Sequence, residues 1–150
     1  HRFRTTAELE SLLRETWPEH DLLIMAAAVA DYRPKAVSDE KLRRSGDGLT
    51  LELEATPDLL AGLGPLTRPD QRVVGFALEP ADELETRATG KLERKGLDAI
   101  VANPLETMDA ETVTGTLLWR DGRAEQAPPR INKQMFGEWL VSRLLGTFSR

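Results

Sequence analysis

The chain has 150 residues, of which 40% are hydrophobic and 30% are charged, as is usual for one globular domain. Its net charge of −5 argues against a general nucleic-acid or membrane-surface partner, because such partners usually select a basic face. Cysteine is absent and the two histidines, His1 and His20, lie far apart, which argues against a thiol nucleophile and a His-based metal site. No apolar run approaches the roughly 20 residues that a membrane span needs. We therefore expect a cytoplasmic protein, and the start at His1 rather than Met suggests a piece of a longer chain.

Capping and periodic patterns predict four helices. Thr5 and Glu8 have the spacing of a capping box, which opens the first helix. Thr56 followed by Pro57 is typical of an N-cap with proline at the first helical position, so a short helix is expected through Leu63. Longer helices are expected at residues 82–95 and 132–145. The predicted apolar side of the last helix consists of Met135, Phe136, Trp139, Leu140 and Leu144.

Two kinds of strand are expected among these helices. Continuous apolar runs at residues 21–29, 72–77 and 98–102 are typical of strands buried on both faces of a parallel sheet. Alternating leucines at residues 49–53 indicate a half-exposed strand, and an Asp121-Gly122 turn indicates a hairpin. The fold class is therefore α/β, with an open, mostly parallel sheet, flanking helices and a C-terminal hairpin.

The three apolar runs end in polar or constrained groups, at Asp31, at Glu79 and at Asn103-Pro104. In parallel sheets the carboxyl ends of neighbouring strands share one crevice, which is where such folds bind ligands. Polar strand ends are also common simply because loops are exposed, and for any one of these ends the two interpretations carry even weight. Together the three ends favour a ligand site.

Lysines form a second pattern. Lys91 and Lys95 are four residues apart and project from one helix face, where two ammonium groups repel unless an anion such as a polyphosphate lies between them. On spacing alone a solvated helix face is the more common outcome. Lys41 lies in the charged run Asp39-Glu-Lys-Leu-Arg-Arg44, which is also usually solvated. Neither a P-loop nor a GxGxxG motif is present.

Five ordered motifs resemble one family, phosphopantothenoylcysteine synthetase (phosphopantothenate–cysteine ligase). The resemblance covers nearly the whole chain. The motifs are Ala26-Ala-Ala-Val-Ala-Asp-Tyr-Arg-Pro34 with Glu40-Lys-Leu-Arg-Arg44, Thr56-Pro-Asp-Leu-Leu60, Val74-Gly-Phe-Ala-Leu-Glu79, Lys91-Leu-Glu-Arg-Lys-Gly-Leu-Asp-Ala-Ile-Val-Ala-Asn103, and the hairpin with Trp119-Arg-Asp-Gly122.

The resemblance implies a Rossmann-like fold and a CTP-dependent ligase of coenzyme A biosynthesis. The carboxylate of 4′-phosphopantothenate attacks the α-phosphate of CTP and releases pyrophosphate, and the amine of cysteine then attacks the acyl-cytidylate and expels CMP. Lys41 matches the catalytic lysine and Asn103 fixes the loop at its strand end. Mg²⁺ is expected with the triphosphate, and Asp31 is the candidate residue to contact it. The implied nucleotide-binding residues are Ala28, Val29, Asp31, Lys41, Pro57, Asp58, Leu59, Leu60, Phe76, Lys91 and Lys95.

The resemblance also implies partners, and this sequence differs from the family pattern at several positions. A homodimer is expected, and FMN only if a flavin-dependent decarboxylase is fused upstream. Arg43 and Arg44 stand where the family usually has lysines, Pro80 replaces a small hydroxyl residue, and the flap at residues 105–113 is shortened. We expect residues 1–150 to be a partial ligase domain that lacks its first strand and glycine-rich segment.

Two alternatives to an active ligase remain at this point. The chain could be a non-catalytic nucleotide-binding module or an inactive fragment of such an enzyme. A Rossmann-type reductase is a weaker idea, because the dinucleotide fingerprint is absent from these residues.

Overall fold

A computed structural model describes residues 1–36, 48–107 and 110–148. Four helices and nine strands lie within these ranges. The helices are α1 (Thr6–Thr16), α2 (Leu59–Leu63), α3 (Leu84–Arg94) and α4 (Lys133–Phe148). The strands are β1 (Leu22–Ile24), β2 (Tyr32–Pro34), β3 (Leu53–Ala55), β4 (Arg72–Glu79), β5 (Ala99–Pro104), β6 (Thr112–Val113), β7 (Thr116–Trp119), β8 (Ala124–Gln126) and β9 (Ile131–Asn132).

The main sheet has the strand order β1-β4-β5-β7-β8 in the described part of the chain. Strands β1, β4 and β5 are parallel neighbours, with Val74 opposite Ile24 on one side and opposite Ala99 on the other. The hairpin β7–β8 adds two antiparallel strands beside β5. The expected α/β class and the predicted C-terminal hairpin are confirmed.

Helices cover both faces of this sheet. Alternate residues of β4 and β5 face opposite sides, as the two-residue period of a strand requires. Val74 and Val101 pack with Phe136, Leu140 and Leu144 of α4. On the other face, a second cluster joins the sheet to α3, with α1 and α2 packed beside it; its buried members include Val73, Ala77, Ala88, Leu92, Leu97 and Ile100.

Local signals account for most helix boundaries. The predicted capping box is present, because Thr5 Oγ1 accepts the amide of Glu8 while the Glu8 carboxylate accepts the amide of Thr5. Beyond α3, Gly96 has a φ of +64°, a conformation that favours glycine. The Arg120 guanidinium donates to the carbonyls of Gly96 and Leu97, so the hairpin side of the sheet holds the end of α3 in place.

The first predicted strand is much shorter than expected. The prediction of a strand over residues 21–29, buried on both faces, is wrong, because β1 covers only Leu22–Ile24 and its residues are half-buried at the edge of the described sheet. Residues 26–28 are exposed. Alanine is apolar but carries little surface, so a run of alanines has little to gain from burial. The segment instead forms a loop.

A small antiparallel ribbon replaces the half-exposed strand predicted at residues 49–54. Strand β2 pairs with β3, and Tyr32 lies opposite Ala55. The leucines at 49, 51 and 53 are exposed by 66%, 58% and 55%, so the described part of the chain does not bury their apolar side. Pro34 is the last residue of β2, a position at which a strand can lack an amide donor. No strand was predicted at residues 31–34, so the sequence analysis missed β2.

The cap of α2 also differs from the prediction. Asp58, rather than Thr56, is the N-cap, because its carboxylate accepts the amide of Ala61 at 3.2 Å. Thr56 instead belongs to the ribbon side: its amide donates to the carbonyl of Asp31 and its hydroxyl donates to the carbonyl of Ala30. In α4, Met135 was expected in the apolar stripe but is 52% exposed.

No helix in the described ranges is both long enough and apolar enough to cross a membrane.

Candidate functional site

The carboxyl ends of β1, β4 and β5 open into one cleft of about 510 Å³. Of the three strand ends expected to converge, those at Asp31 and Asn103 line the cleft, whereas Glu79 does not. Its lining includes Met25, Ala26, Ala27, Ala28, Val29, Ala30, Asp31, Thr56, Pro57, Asp58, Leu59, Leu60, Gly75, Phe76, Ala77, Leu78, Lys91, Lys95, Leu97, Ile100 and Asn103. Every predicted site residue except Lys41 lies on this cleft. Lys41, with Arg43 and Arg44, lies outside the described residues.

Two walls can be distinguished. The sheet wall consists of the cleft residues on β4, β5 and α3 with Lys95 and Leu97, and half of its members on the strands are buried. The loop wall consists of residues 25–31 and 56–60, most of which are exposed or half-buried. The hydrogen bonds of Thr56 to residues 30 and 31 join the two segments of the loop wall.

Gly75 shows how closely the sheet wall is packed. A Cβ atom at this position would lie 2.7 Å from Leu97 Cδ1 and within 4 Å of Leu60 and Ile100. Such a short separation is not tolerated without movement of the neighbouring side chains. Glycine therefore allows the loop after α3 to lie directly against β4 at the floor of the cleft.

Lys95 is held by a carboxylate on the opposite wall. Its Nζ lies 3.0 Å from Asp58 Oδ2, and both side chains are partly exposed. Burial acts to raise the pKa of Asp58, but hydrogen bonds from Lys95 and the Ala61 amide outweigh it and leave the pKa below its ordinary value. Asp58 is therefore an anion that both caps α2 and pairs with a lysine across the cleft.

Lys91 is paired with a different carboxylate, that of Glu79. Lys91 Nζ lies 2.5 Å from Glu79 Oε1, as a close ion pair without the angles of an aligned hydrogen bond, and Arg87 Nη1 lies 3.7 Å from Glu79 Oε2. The Glu79 side chain is 6% exposed, whereas that of Lys91 is 38% exposed. The predicted lysine pair is thus brought to the cleft, and each member already has an acidic partner.

Asn103 lies at the end of β5, where the backbone of Gly115 comes very close to its side chain. Its Oδ1 is buried and has no hydrogen-bond partner within the described residues. A Cβ on Gly115 would lie 2.4 Å from that oxygen and 3.0 Å from the Phe136 ring. Glycine at 115 therefore leaves the space that the Asn103 amide occupies.

Sequence reasoning missed several of these features. The contact between Glu79 and Lys91 joins a strand end to a helix twelve residues later, and no local spacing rule predicts it. Gly75 and Gly115 carried a signal, since an isolated glycine beside a strand often marks a close approach, but their partners could not be named. Within the ranges that the structure covers, no three His, Asp or Glu side chains are grouped as a metal cage would require.

The fold and the cleft together define an open-sheet α/β ligand-binding domain whose cleft, at the carboxyl ends of the parallel strands, is also lined by two lysines. The model of one family, described as the DNA/pantothenate metabolism flavoprotein C-terminal domain, matches residues 1–147. The chain belongs to this family.

Curated relatives cover most of this chain. A coenzyme A biosynthesis bifunctional protein CoaBC of Vibrio cholerae is 38% identical over 122 residues, which are 77% of this chain and 30% of that protein. The CoaBC of Escherichia coli is 32% identical over 148 residues, or 94% of this chain and 36% of that protein. A cysteine/cysteine sulfinic acid decarboxylase from an unknown prokaryotic organism is 44% identical over 103 residues, which are 69% of this chain and 28% of that protein. The chain thus spans about a third of the length of these relatives.

Solved structures show the same fold. The C-terminal domain of a CoaBC protein superposes with a TM-score of 0.76 at 28% identity, covering 96% of this chain and 63% of that chain. A DNA/pantothenate metabolism flavoprotein from Streptococcus pneumoniae gives the same TM-score at 22% identity, with shares of 97% and 72%. A Cab2 mutant in complex with phosphopantothenate-cysteine gives 0.62 at 22% identity, covering 81% of this chain and 43% of that chain.

Proposed function

We propose that this chain forms part of a CTP-dependent ligase that joins 4′-phosphopantothenate to cysteine in coenzyme A biosynthesis. The observation that carries the proposal is the cleft itself, which gathers the predicted nucleotide residues of four separate motifs. Family membership over residues 1–147 supports the same reaction. The Cab2 structure with phosphopantothenate-cysteine, which shares this fold, supports the proposed product class.

The proposed reaction has two steps. The carboxylate oxygen of phosphopantothenate forms a bond to the α-phosphorus of CTP, and the bond to the departing pyrophosphate breaks. The cysteine amine then attacks the carbonyl of the acyl-cytidylate and CMP leaves with the bonding electron pair, while the amine loses a proton. Both steps place negative charge on oxygen atoms, which fixed cations stabilise.

The roles proposed for the residues come from the matching family motifs, and the cleft position of the described residues supports them. Ala28 and Val29 offer backbone groups to the base from the loop wall, and Asp31 contacts the nucleotide. Phe76 packs against the nucleotide, residues 57–60 face the phosphates, and Lys91 and Lys95 bind the triphosphate. Asn103 fixes the end of β5, and Lys41 is the proposed catalytic cation.

Mg²⁺ is proposed to enter with the triphosphate, whose oxygens suit this hard cation. The described residues form no metal cage of their own, and Asp31 and Asp58 are carboxylates that line the cleft. FMN is proposed only for a protein in which a flavin-dependent decarboxylase is fused to this domain. A cytoplasmic location is proposed for the enzyme.

A homodimer is also proposed. The ribbon β2–β3 supports it, because a two-stranded ribbon is marginally stable alone and this one exposes Tyr32 by 63% and Leu53 by 55%. Sedimentation of the naturally encoded protein should give twice the monomer mass. A Leu53→Glu variant should sediment as a monomer, and a dimer of unchanged stability would contradict the role of the ribbon.

Pyrophosphate release tests the reaction. In the naturally encoded protein we expect release to require phosphopantothenate and to be faster with CTP than with ATP. Release without phosphopantothenate, or binding of CTP without turnover, would instead support a non-catalytic nucleotide-binding module.

Two lysine-to-glutamine variants test the role assigned to Lys41. Lys41→Gln should abolish most turnover while CTP binding is largely retained. Lys133→Gln is the matched control, because Lys133 is exposed at the start of α4 and does not line the cleft. Unchanged turnover in Lys41→Gln would contradict the role of Lys41.

A further inference from the structure

Glu79 is a buried, charged residue on a sheet face whose other buried residues are apolar. It is 5% exposed and ends strand β4, on the sheet face that also carries Val73 and Ala77. That face packs against α3. A buried carboxylate costs several kcal/mol unless a cation pairs with it, and an apolar side chain of similar volume is often at least as stable. The packing of the sheet alone does not account for this residue.

The cation that pairs most closely with Glu79 is a cleft residue. Lys91 Nζ lies 2.5 Å from Glu79 Oε1, and Lys91 lines the cleft whereas Glu79 does not. Without a fixed partner, a lysine with a side chain 38% exposed samples many rotamers, and ordering it on ligand binding costs conformational entropy. The carboxylate limits this freedom before any ligand arrives.

The second cation near Glu79 provides a comparison. Arg87 Nη1 lies 3.7 Å from Glu79 Oε2, and its Nη2 is paired with Glu83 one turn earlier on the chain. Arg87 is 53% exposed and does not line the cleft. Arg87 can therefore neutralise Glu79 without affecting a ligand, whereas Lys91 cannot move without changing the charge that faces the cleft.

We propose that Glu79 is a positioning residue that holds the ammonium group of Lys91 at the cleft, ready for the phosphates of the nucleotide. The proposal rests on the nucleotide site proposed above. Glu79 touches neither substrate nor the reacting atoms in this role and acts through Lys91. Nucleotide affinity, rather than the rate of the chemical step, is the quantity that depends on it.

The central test is CTP binding to Glu79→Gln, measured by calorimetry with Mg²⁺ in the naturally encoded protein, together with KM and kcat. Glutamine keeps the size and polarity of the side chain and removes its charge. We expect Kd and KM for CTP to rise about tenfold while kcat at saturating CTP changes less than twofold. Unchanged or tighter binding by the folded variant would overturn the proposal, since tighter binding would mean that Glu79 merely repels the phosphates.

Three further variants separate positioning from a general structural role. In a Lys91→Met background, Glu79→Gln should cause no further loss of CTP affinity, and an equal loss in both backgrounds would overturn the proposal. Arg87→Gln should change Kd less than twofold. If Glu79→Gln does not fold, Glu79→Asp provides the measurement: a carboxylate one methylene shorter should weaken binding two- to fivefold, and wild-type affinity would overturn the proposal.

The proposed function and this inference fail in different ways. If the wild-type protein binds no CTP, the proposed nucleotide site is wrong and Glu79 has nothing to position. If the wild type binds CTP and Glu79→Gln binds equally well, the nucleotide site stands and the role of Glu79 is wrong.

Discussion

The two walls of the cleft differ in how they are stabilised. The sheet wall is built on β4, β5 and α3, whose core side chains are almost inaccessible, with Val74 and Ala99 at 0% exposure. The loop wall follows a short edge strand and is anchored mainly by Thr56 and by the cap of α2. The difference teaches that one wall can hold charges in fixed positions, whereas the other can adjust to a base or to a closing segment.

The largest effect should come from the floor of the sheet wall. Leu97 is 1% exposed and contacts the region of Gly75, so Leu97→Ala should lower the free energy of unfolding by about 3 kcal/mol through lost burial and a cavity. Val29→Ala on the loop wall removes two methyl groups from a half-buried side chain and should lower it by about 1 kcal/mol or less. Urea unfolding followed by circular dichroism measures both, and equal losses would show that the walls are not distinct.

The second-largest effect is expected where the Asn103 side chain lies against Gly115. Gly115→Ala places a methyl group against Asn103 Oδ1 and the Phe136 ring, which should cost about 1–3 kcal/mol and displace the amide. We expect turnover to fall at least tenfold in the folded fraction.

Gly90→Ala is the matched control, because its new methyl group meets no neighbour in the described structure. This helical change should stabilise by about 0.5–1 kcal/mol. Wild-type turnover in Gly115→Ala would contradict the role proposed for Asn103.

A smaller effect is expected at the contact between the walls. Asp58→Ala removes both the α2 cap and the partner of Lys95 and should cost about 1 kcal/mol, whereas Asp58→Asn keeps a capping oxygen and should cost less. The pKa of Asp58 is lower in the folded state than in the unfolded chain. Its contribution is therefore complete above the unfolded pKa and is lost as the pH falls through the folded pKa. Acid unfolding curves of the wild type and Asp58→Asn should converge at low pH.

The smallest effect should come from the loop wall. Thr56→Val keeps the shape of the side chain and removes the hydroxyl that donates to Ala30, while the amide bond to Asp31 remains. Because Ala30 is exposed and water can replace the lost donor, we expect a loss of about 0.5 kcal/mol. Hydrogen exchange of residues 26–31 should accelerate while that of β4 is unchanged. Faster exchange in β4 as well would show that the walls unfold together.

The parts of the fold that follow from burial could be predicted from the sequence. Strands β4 and β5 are central in the sheet, so both faces select apolar side chains, and their patterns were interpreted correctly. The run at residues 21–29 misled the prediction because small apolar side chains do not by themselves require burial. Strand β2 was missed because its partner lies about twenty residues away and Pro34 resembles a break.

The site was predicted where residues act through local spacing or through a matching motif. Lys91 and Lys95 share a helix face, but spacing alone favoured a solvated surface, and their place on the cleft with Asp31 and Phe76 was implied only by the family motifs. The pairing of Lys91 with Glu79 depends on the packing of a helix against a strand. Hydrophobic patterns predict that packing only in outline, so the acidic partners remained unknown until the structure was available.

The place of the two lysines on α3 has a chemical consequence. Many α/β folds bind phosphates through backbone amides at a helix N-terminus, which no side-chain reagent can alter. Here Lys91 lies in the last turn of α3 and Lys95 is its C-cap, where the helix dipole favours cations. In its deprotonated form each amine reacts with acylating agents, and one acyl group would remove the charge that faces the cleft. The proposed anion site can therefore be modified covalently, one lysine at a time, without any change to the backbone that carries it.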